Sequence, residues 1–331
     1  MRSVVVVAVL AACQPSSSAP IAHVEAAQPS TVGFHRFEVA DPVSHAAMPA
    51  AVFYPATGAE AHTDIDLYRI AAGVDLPMRD GRHPLVAISH GHGGDLWGHR
   101  DLAVALARHG YVVAIVEHAG DNYHDQAKFR SDRVLFGRAY QISATIDAVL
   151  ADPKLAAHVD PARIGVAGFS AGGWTSLLLV GARPDFSLVT GYCERHRDDE
   201  AVCGGPVLHE LDHPAPTVDH RIKAAFVMAP FAIPFGDGAF KDVTAPIALS
   251  WGEADPVLDP AENAQLVLRA PTLTEKHMIP KAGHYVFIPP CSPTLAKAAP
   301  EICTDPPGID RAKIHDEINA NAVRFFDAAL R

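Results

Sequence analysis

The stretch Arg163-Ile164-Gly165-Val166-Ala167-Gly168-Phe169-Ser170-Ala171-Gly172-Gly173 decides the fold. Its first five residues read as a short buried strand and Ala171 to Val180 reads as a helix, which leaves Ser170 in the turn between them. Gly168-Phe169-Ser170-Ala171-Gly172 has the form G-x-S-x-G. That pattern is weak alone and informative between a strand and a helix. The turn is sharp, so residues beside the serine must lack bulk, and Gly168, Ala171, Gly172 and Gly173 do. The helix N-terminus then aims unpaired N–H groups at any negative charge that develops near the serine.

Working outward, the chain reads as strands first and then as alternating strands and helices. Val32 to Val39 and Ala50 to Tyr54 form an opening antiparallel pair. Pro84 to Ser89 and Tyr111 to Glu117 are continuous apolar runs, as expected of strands buried on both faces. Arg100 to His109 and Ser131 to Leu150 carry apolar residues at helical spacing, the latter through Ile142, Ile146, Val149 and Leu150. Ile222 to Met228, Pro246 to Trp251 and Lys276 to Ile279 are further strands, and Arg311 to Leu330 is a closing helix. The alternation predicts an α/β fold: a mostly parallel central sheet with helices on both faces. The long polar segment Arg183 to His220 predicts a small cysteine-bearing cap over the pocket. Active sites of such sheets form at the carboxyl ends of the strands.

That rule selects partners for Ser170. A serine needs a base, and in this fold the order is Ser, then Asp or Glu, then His. Asp255 follows the strand Ile247-Ala248-Leu249-Ser250-Trp251, and His284 follows the last strand. Glu253, Asp219 and Asp242 are alternative acids, whereas His277 and His315 read as structural. Ser89-His90-Gly91-His92-Gly93-Gly94 stands where one oxyanion donor should lie. The backbone N–H groups of His92 and Ala171 are therefore the expected pair. His90 and His92 with Asp95, His118, Asp121 and His124 offer a metal reading, but the Ser–Asp–His set already accounts for the chemistry. No metal and no cofactor are assigned.

The 331 residues carry a net charge of −11, which leaves no basic footprint for nucleic acid. Residues 1–12 read as a signal peptide, with a seven-residue apolar run, Val4 to Leu10, too short to span a bilayer. Leu10-Ala11-Ala12-Cys13 resembles the lipobox of bacterial lipoproteins, which implies cleavage before Cys13 and its lipidation. A plain secretory signal is the alternative. Residues 13–31 read as a flexible tether and 32–331 as the catalytic domain. The expected setting is a membrane-anchored protein facing the periplasm or cell surface of a bacterium. The remaining cysteines, Cys193, Cys203, Cys291 and Cys303, suggest disulfides in an exported chain. Three connectivities are open, and the local pairs Cys193–Cys203 and Cys291–Cys303 are preferred because each closes a short loop.

Pro84 to Gly94, His109-Gly110-Tyr111-Val112-Val113, Gly120-Asp121-Asn122-Tyr123 and Arg163 through Gly173 together resemble the predicted dienelactone hydrolase branch of the α/β-hydrolases. That branch is similar to platelet-activating-factor acetylhydrolases and cutinase-like polyester hydrolases. The resemblance runs from about Gly33 to the last helix and implies a serine esterase acting on a small or lipid-like ester. Two departures limit it. True dienelactone hydrolases use a cysteine nucleophile where Ser170 stands, so their substrate is not carried over. The acetylhydrolases place their acid after the strand that follows the nucleophile helix, and Ala225 to Pro230 holds no carboxylate, which favours Asp255. An amidase or peptidase on the same machinery, and a non-catalytic envelope lipoprotein that kept the fold, are the alternatives.

Overall fold

The computed structural model describes residues 31–126, 130–211 and 217–331. Residues 1–30, and with them the signal segment, Cys13 and nearly all of the tether, lie outside the described residues. The strands are β1 (Thr31–Ala40), β2 (Ala47–Ala56), β3 (Thr63–Ile65), β4 (Tyr68–Ile70), β5 (Gly73–Val74), β6 (His83–Ser89), β7 (Val112–Val116), β8 (Val159–Phe169), β9 (Ile222–Met228), β10 (Ile247–Gly252) and β11 (Leu273–Ile279). Among the described residues nine of them form one sheet in the order β11-β10-β9-β8-β6-β7-β2-β1-β5, and β3 pairs with β4 alone. From β7 through β11 every pairing is parallel, while β2 runs antiparallel to both β7 and β1.

The sequence explains the layering. β7, Val112-Val113-Ala114-Ile115-Val116, is buried at every position because helices cover both faces of the sheet. The helices are α1 (Arg100–Arg108), α2 (Asp132–Leu135), α3 (Gly137–Ala151), α4 (Ala171–Leu179), α5 (Ser187–Arg195), α6 (Glu200–Cys203), α7 (Ala264–Val267), α8 (Pro293–Ala298), α9 (Pro300–Cys303) and α10 (Arg311–Leu330). Ile142, Ile146 and Val149 of α3 join Leu177 and Leu178 of α4 against one face. Leu102 and Leu106 of α1 join Phe325 and Phe326 of α10 against the other.

The helix expected over 131–150 is two helices broken at Phe136. The Leu135 carbonyl accepts the indole N–H of Trp174 at 2.6 Å, and the Phe136 ring turns to pack against Phe186. The 183–220 segment holds α5 and α6, joined by the Cys193–Cys203 disulfide. Cys291–Cys303 closes the α8–α9 strap. Both local pairs are therefore formed, and each closes a loop whose cross-link stabilises by about 3 kcal/mol in the chain-entropy view.

β6 and β8 are neighbours, yet the chain leaves β6 towards β7 and leaves β8 towards β9. The carboxyl ends of β6 and β8 thus flank the point where the strand order reverses, the place where such sheets bind ligands. The helix α4 enters this point at very short range. A Cβ on Gly172 would lie 1.9 Å from the Ser89 carbonyl oxygen, and one on Gly168 would lie 2.0 Å from the Gly172 carbonyl oxygen. Both obstacles are backbone, so nothing flexible can move aside. We expect Gly172→Ala to destabilise by about 1–3 kcal/mol or more and to lower the melting temperature by several degrees. Gly191→Ala, in the interior of α5 with no atom nearer than 3.8 Å, should be neutral or stabilising. Thermal denaturation of the two variants checks the contrast.

Candidate active site

Ser170 ends the tight passage from β8 into α4 with φ 55° and ψ −116°, a conformation that costs an L-residue energy. Its N–H donates to the Met228 carbonyl at 2.9 Å, and its carbonyl accepts from Trp174 and Phe231, so the turn is held from three sides. The side chain is thereby lifted out above the sheet. His284 starts a single 3-10 turn, His284–Phe287, soon after β11. Its Nε2 lies 3.0 Å from Ser170 Oγ. Its Nδ1 lies 2.7 Å from Asp255 Oδ2.

Asp255 sits in the turn after β10 and its side chain is only 2% exposed, as is that of His284. The second carboxylate oxygen accepts the N–H groups of Val257 and Leu258, both at 2.8 Å. With one oxygen fixed by backbone, the other can only face the imidazole. A carboxylate accepts and cannot donate, so His284 carries its proton on Nδ1 and presents a bare Nε2 to the serine hydroxyl. Such a chain can draw a proton from the hydroxyl while the imidazolium it forms is stabilised.

The structure separates the alternative partners from Ser170. Glu253 is exposed and accepts the Lys281 N–H at 3.0 Å. Asp219 binds Arg221 and Ser143 ahead of β9, and Asp242 pairs with Arg183 at 2.9 Å ahead of β10, at the opposite ends of those strands from Asp255. His277 pairs with Glu275, and His315 bridges Asp101 and the Val286 carbonyl.

The 90–94 loop runs directly under Ser170: a Cβ on Gly91 would lie 2.9 Å from the Phe169 ring and 3.4 Å from Ser170 Cβ. Gly91 of this loop and Ala171 of α4 thus both lie beside Ser170. Ala171 is the first residue of α4, and its N–H is among the four a helix cannot satisfy internally.

Of the residues of the metal reading, the side chains of His90, His92, Asp95, His118 and Asp121 are engaged in hydrogen bonds, and the His124 ring lies against Tyr123. His90 Nε2 accepts the His118 N–H at 3.1 Å, and its Nδ1 then donates to the Gly91 carbonyl at 2.7 Å. His118 bridges Ser89 Oγ and Gln141. Asp95 accepts from the Tyr68 hydroxyl and the Trp97 N–H. Asp121 accepts from His92 Nδ1, from the Gly93 N–H at 3.2 Å and from Arg138 at 2.5 Å. Among the described residues no group of three or more His, Cys, Asp or Glu side chains is arranged to hold a metal ion.

Sequence reading passed over Arg138, which is 1% exposed and touches four residues around the site. Its one signal was position: it lies four residues before Ile142, on the apolar face of its helix. Burial pushes the Asp121 carboxyl up, but Arg138 and His92 outweigh it and hold it far below the usual carboxylate range.

The cleft above Ser170 has a volume of about 1020 Å³. Tyr68, Asp95, Arg100 and Glu117 line it on one side, and Ile288, Pro289, Leu295 and Ile302, flanking and within the α8–α9 strap, line it elsewhere. The segment expected as a cap does not border this cleft: no described residue of 183–220 lines it. Instead that segment packs Phe186 on Trp174 and pairs Arg195 with Glu262. The disulfide-closed segment bordering the cleft is the strap.

These features define an α/β-hydrolase fold with a hydrogen-bonded Ser–His–Asp chain at its strand ends. No family model and no curated protein matches the sequence. Solved structures do match. A ferulic acid esterase from Streptomyces cinnamoneus is similar at a TM-score of 0.63 and 19% identity, covering 93% of this chain and 92% of that one. A dienelactone hydrolase from Anabaena variabilis is similar at 0.52 and 16%, covering 92% and 100%. At these identities the likeness speaks for the fold.

Three buried histidines give the site's surroundings a pH dependence. Burial holds His90 at about 3, His99 at about 4 and His118 well below the ordinary value. Each stays neutral in the fold and takes up a proton once unfolded. Their stabilisation is therefore complete above the unfolded value near 6.5 and is lost as pH falls from there towards 4. We expect the folding constant to drop roughly tenfold per histidine per pH unit in that window. Urea unfolding at pH 7 and pH 5 measures it, and His99→Phe should flatten the slope.

Proposed function

We propose that this protein is a serine hydrolase that cleaves carboxylic esters through an acyl-enzyme. The observation that carries the proposal is the hydrogen-bonded chain from Ser170 through His284 to Asp255, built on a strained turn beside the 90–94 loop. The two structural neighbours, one named an esterase and one a hydrolase, support the same reading. Ser170 Oγ bonds to the ester carbonyl carbon while its proton passes to His284 Nε2. The carbonyl oxygen becomes an oxyanion held by the His92 and Ala171 amides, each contributing about 3 kcal/mol to the transition state. The imidazolium then returns the proton to the leaving alkoxide as the carbon–oxygen bond breaks. Water repeats both steps, releasing the acid and restoring Ser170.

The test is a p-nitrophenyl ester series from acetyl upward, run with Ser170→Ala. The variant should lose at least about a thousandfold in kcat with an unchanged melting temperature. Retention of more than that fraction removes Ser170 from the chemistry. A fluorophosphonate probe should label the native serine, and no labelling would favour a binding protein. Anilides of the same acids should turn over far more slowly than the esters, and the reverse would make it an amidase.

We further propose export and anchoring at a bacterial membrane through a lipidated Cys13. In a lipoprotein-processing bacterium the native chain should incorporate labelled palmitate and sediment with membranes. Cys13→Ser should do neither. Label-free membrane association of both forms would overturn the anchor.

A further inference from the structure

We infer that the buried Arg138–Asp121 pair is the positioning device for the oxyanion loop, acting on the His92 amide through the His92 ring. This rests on the ester-hydrolase reading above. The geometry is specific. One guanidinium, Arg138 on α3, donates to Asp121 Oδ2 at 2.5 Å, to the His90 carbonyl, to Ser89 Oγ at 3.3 Å and to Thr175 Oγ1 at 3.4 Å. Ser89 and His90 lead into the oxyanion loop, and Thr175 belongs to the helix that starts at Ala171. Asp121 spends its other oxygen on the same loop, accepting from His92 Nδ1 and from the Gly93 N–H at 3.2 Å.

The loop is thus gripped at residues 90, 92 and 93 by two side chains that never reach the reacting atoms. It holds three glycines, Gly91, Gly93 and Gly94, and Gly93 sits at φ +62°. Such a backbone has little stiffness of its own. An oxyanion donor displaced by a fraction of an ångström loses much of its effect, because the charge it serves exists only in the transition state. A planar fork that binds two oxygens in fixed directions suits this task, and a lysine would not replace it.

Substituting Asp121 would strand the buried Arg138 cation and destabilise the fold. The test is therefore placed on His92, whose side chain is 33% exposed. His92→Ala removes the ring but keeps the backbone amide. His92→Asn keeps a side-chain N–H close to where imidazole Nδ1 stands. Each is assayed for kcat and KM on p-nitrophenyl acetate, with active sites counted by fluorophosphonate titration. Each is also assayed for the inhibition constant of an alkylboronic acid, which forms a tetrahedral adduct with the serine.

We expect His92→Ala to lower kcat about 10- to 100-fold, to leave KM within about threefold, and to weaken the boronate in parallel with kcat. His92→Asn should recover most of both losses. Wild-type kcat per active site in His92→Ala overturns the proposal, whatever its melting temperature. So does an equal loss in the two variants, since the ring would then be doing something other than holding the loop. If the native protein hydrolyses no ester, or Ser170→Ala hydrolyses it equally well, the ester reading itself fails and the inference falls with it.

Discussion

The helix that follows Ser170 reaches the end of β6 only because Gly172 has no side chain. Its Cα passes so close under the Ser89 carbonyl that a methyl group would overlap the oxygen. This contact fixes the depth at which α4 enters the sheet. It also dictates the turn before the helix, where Ser170 is held at positive φ by hydrogen bonds to Met228, Trp174 and Phe231. The strain at the serine and the crowding at the glycine are two sides of one constraint. A helix N-terminus brought this close carries its unpaired N–H groups into the same small volume as the 90–94 loop.

Given that approach, the sheet supplies the rest. β6 and β8 part company at the reversal of strand order, so the loops after them face each other across an open space. β10 and β11 extend the parallel run and deliver Asp255 and His284 from the same edge. Asp255 is held by the Val257 and Leu258 amides as well as by its histidine partner. The Ser170–His284–Asp255 chain is held at strand ends, while part of the cleft wall comes from the α8–α9 strap, closed by Cys291–Cys303 and tied to α10 through Arg311 bonds to Asp305 and Ile302. Strap side chains can change without disturbing Ser170.

The fold and the hydrogen-bonded Ser170–His284–Asp255 set were legible in the sequence because both rest on local patterns. The apolar runs at 84–89 and 222–228 and the elbow at 168–172 are properties of contiguous residues. Asp255 and His284 were found by position after a strand, a rule that needs topology only in outline. What stayed hidden depends on distant pairing. Arg138 looks like an oddity on an apolar helix face until Asp121 is brought beneath it. The break at Phe136 comes from a Trp174 indole that takes the Leu135 carbonyl, 39 residues away in sequence. The 183–220 segment was expected over the cleft because it is long and cross-linked. Its apolar residue Phe186 found Trp174 beside the sheet instead, and composition does not reveal which surface a loop will prefer.

The 19 histidines carry no functional information as a number. Their partners do. Three aspartate–histidine pairs surround one serine, and they perform different work with the same chemistry. Asp255 orients His284, whose second nitrogen faces the hydroxyl. Asp121 holds His92, whose backbone lies in the 90–94 loop. Asp101 holds His315, whose second nitrogen binds the Val286 carbonyl inside the turn that begins at His284. Only the first ring reaches the serine. The others use a carboxylate to fix an imidazole that in turn fixes backbone, which turns a flexible loop and a short turn into a rigid frame. The proposed ester hydrolysis would need that frame as much as it needs the base, since an oxyanion exists for an instant and its donors must already be in place.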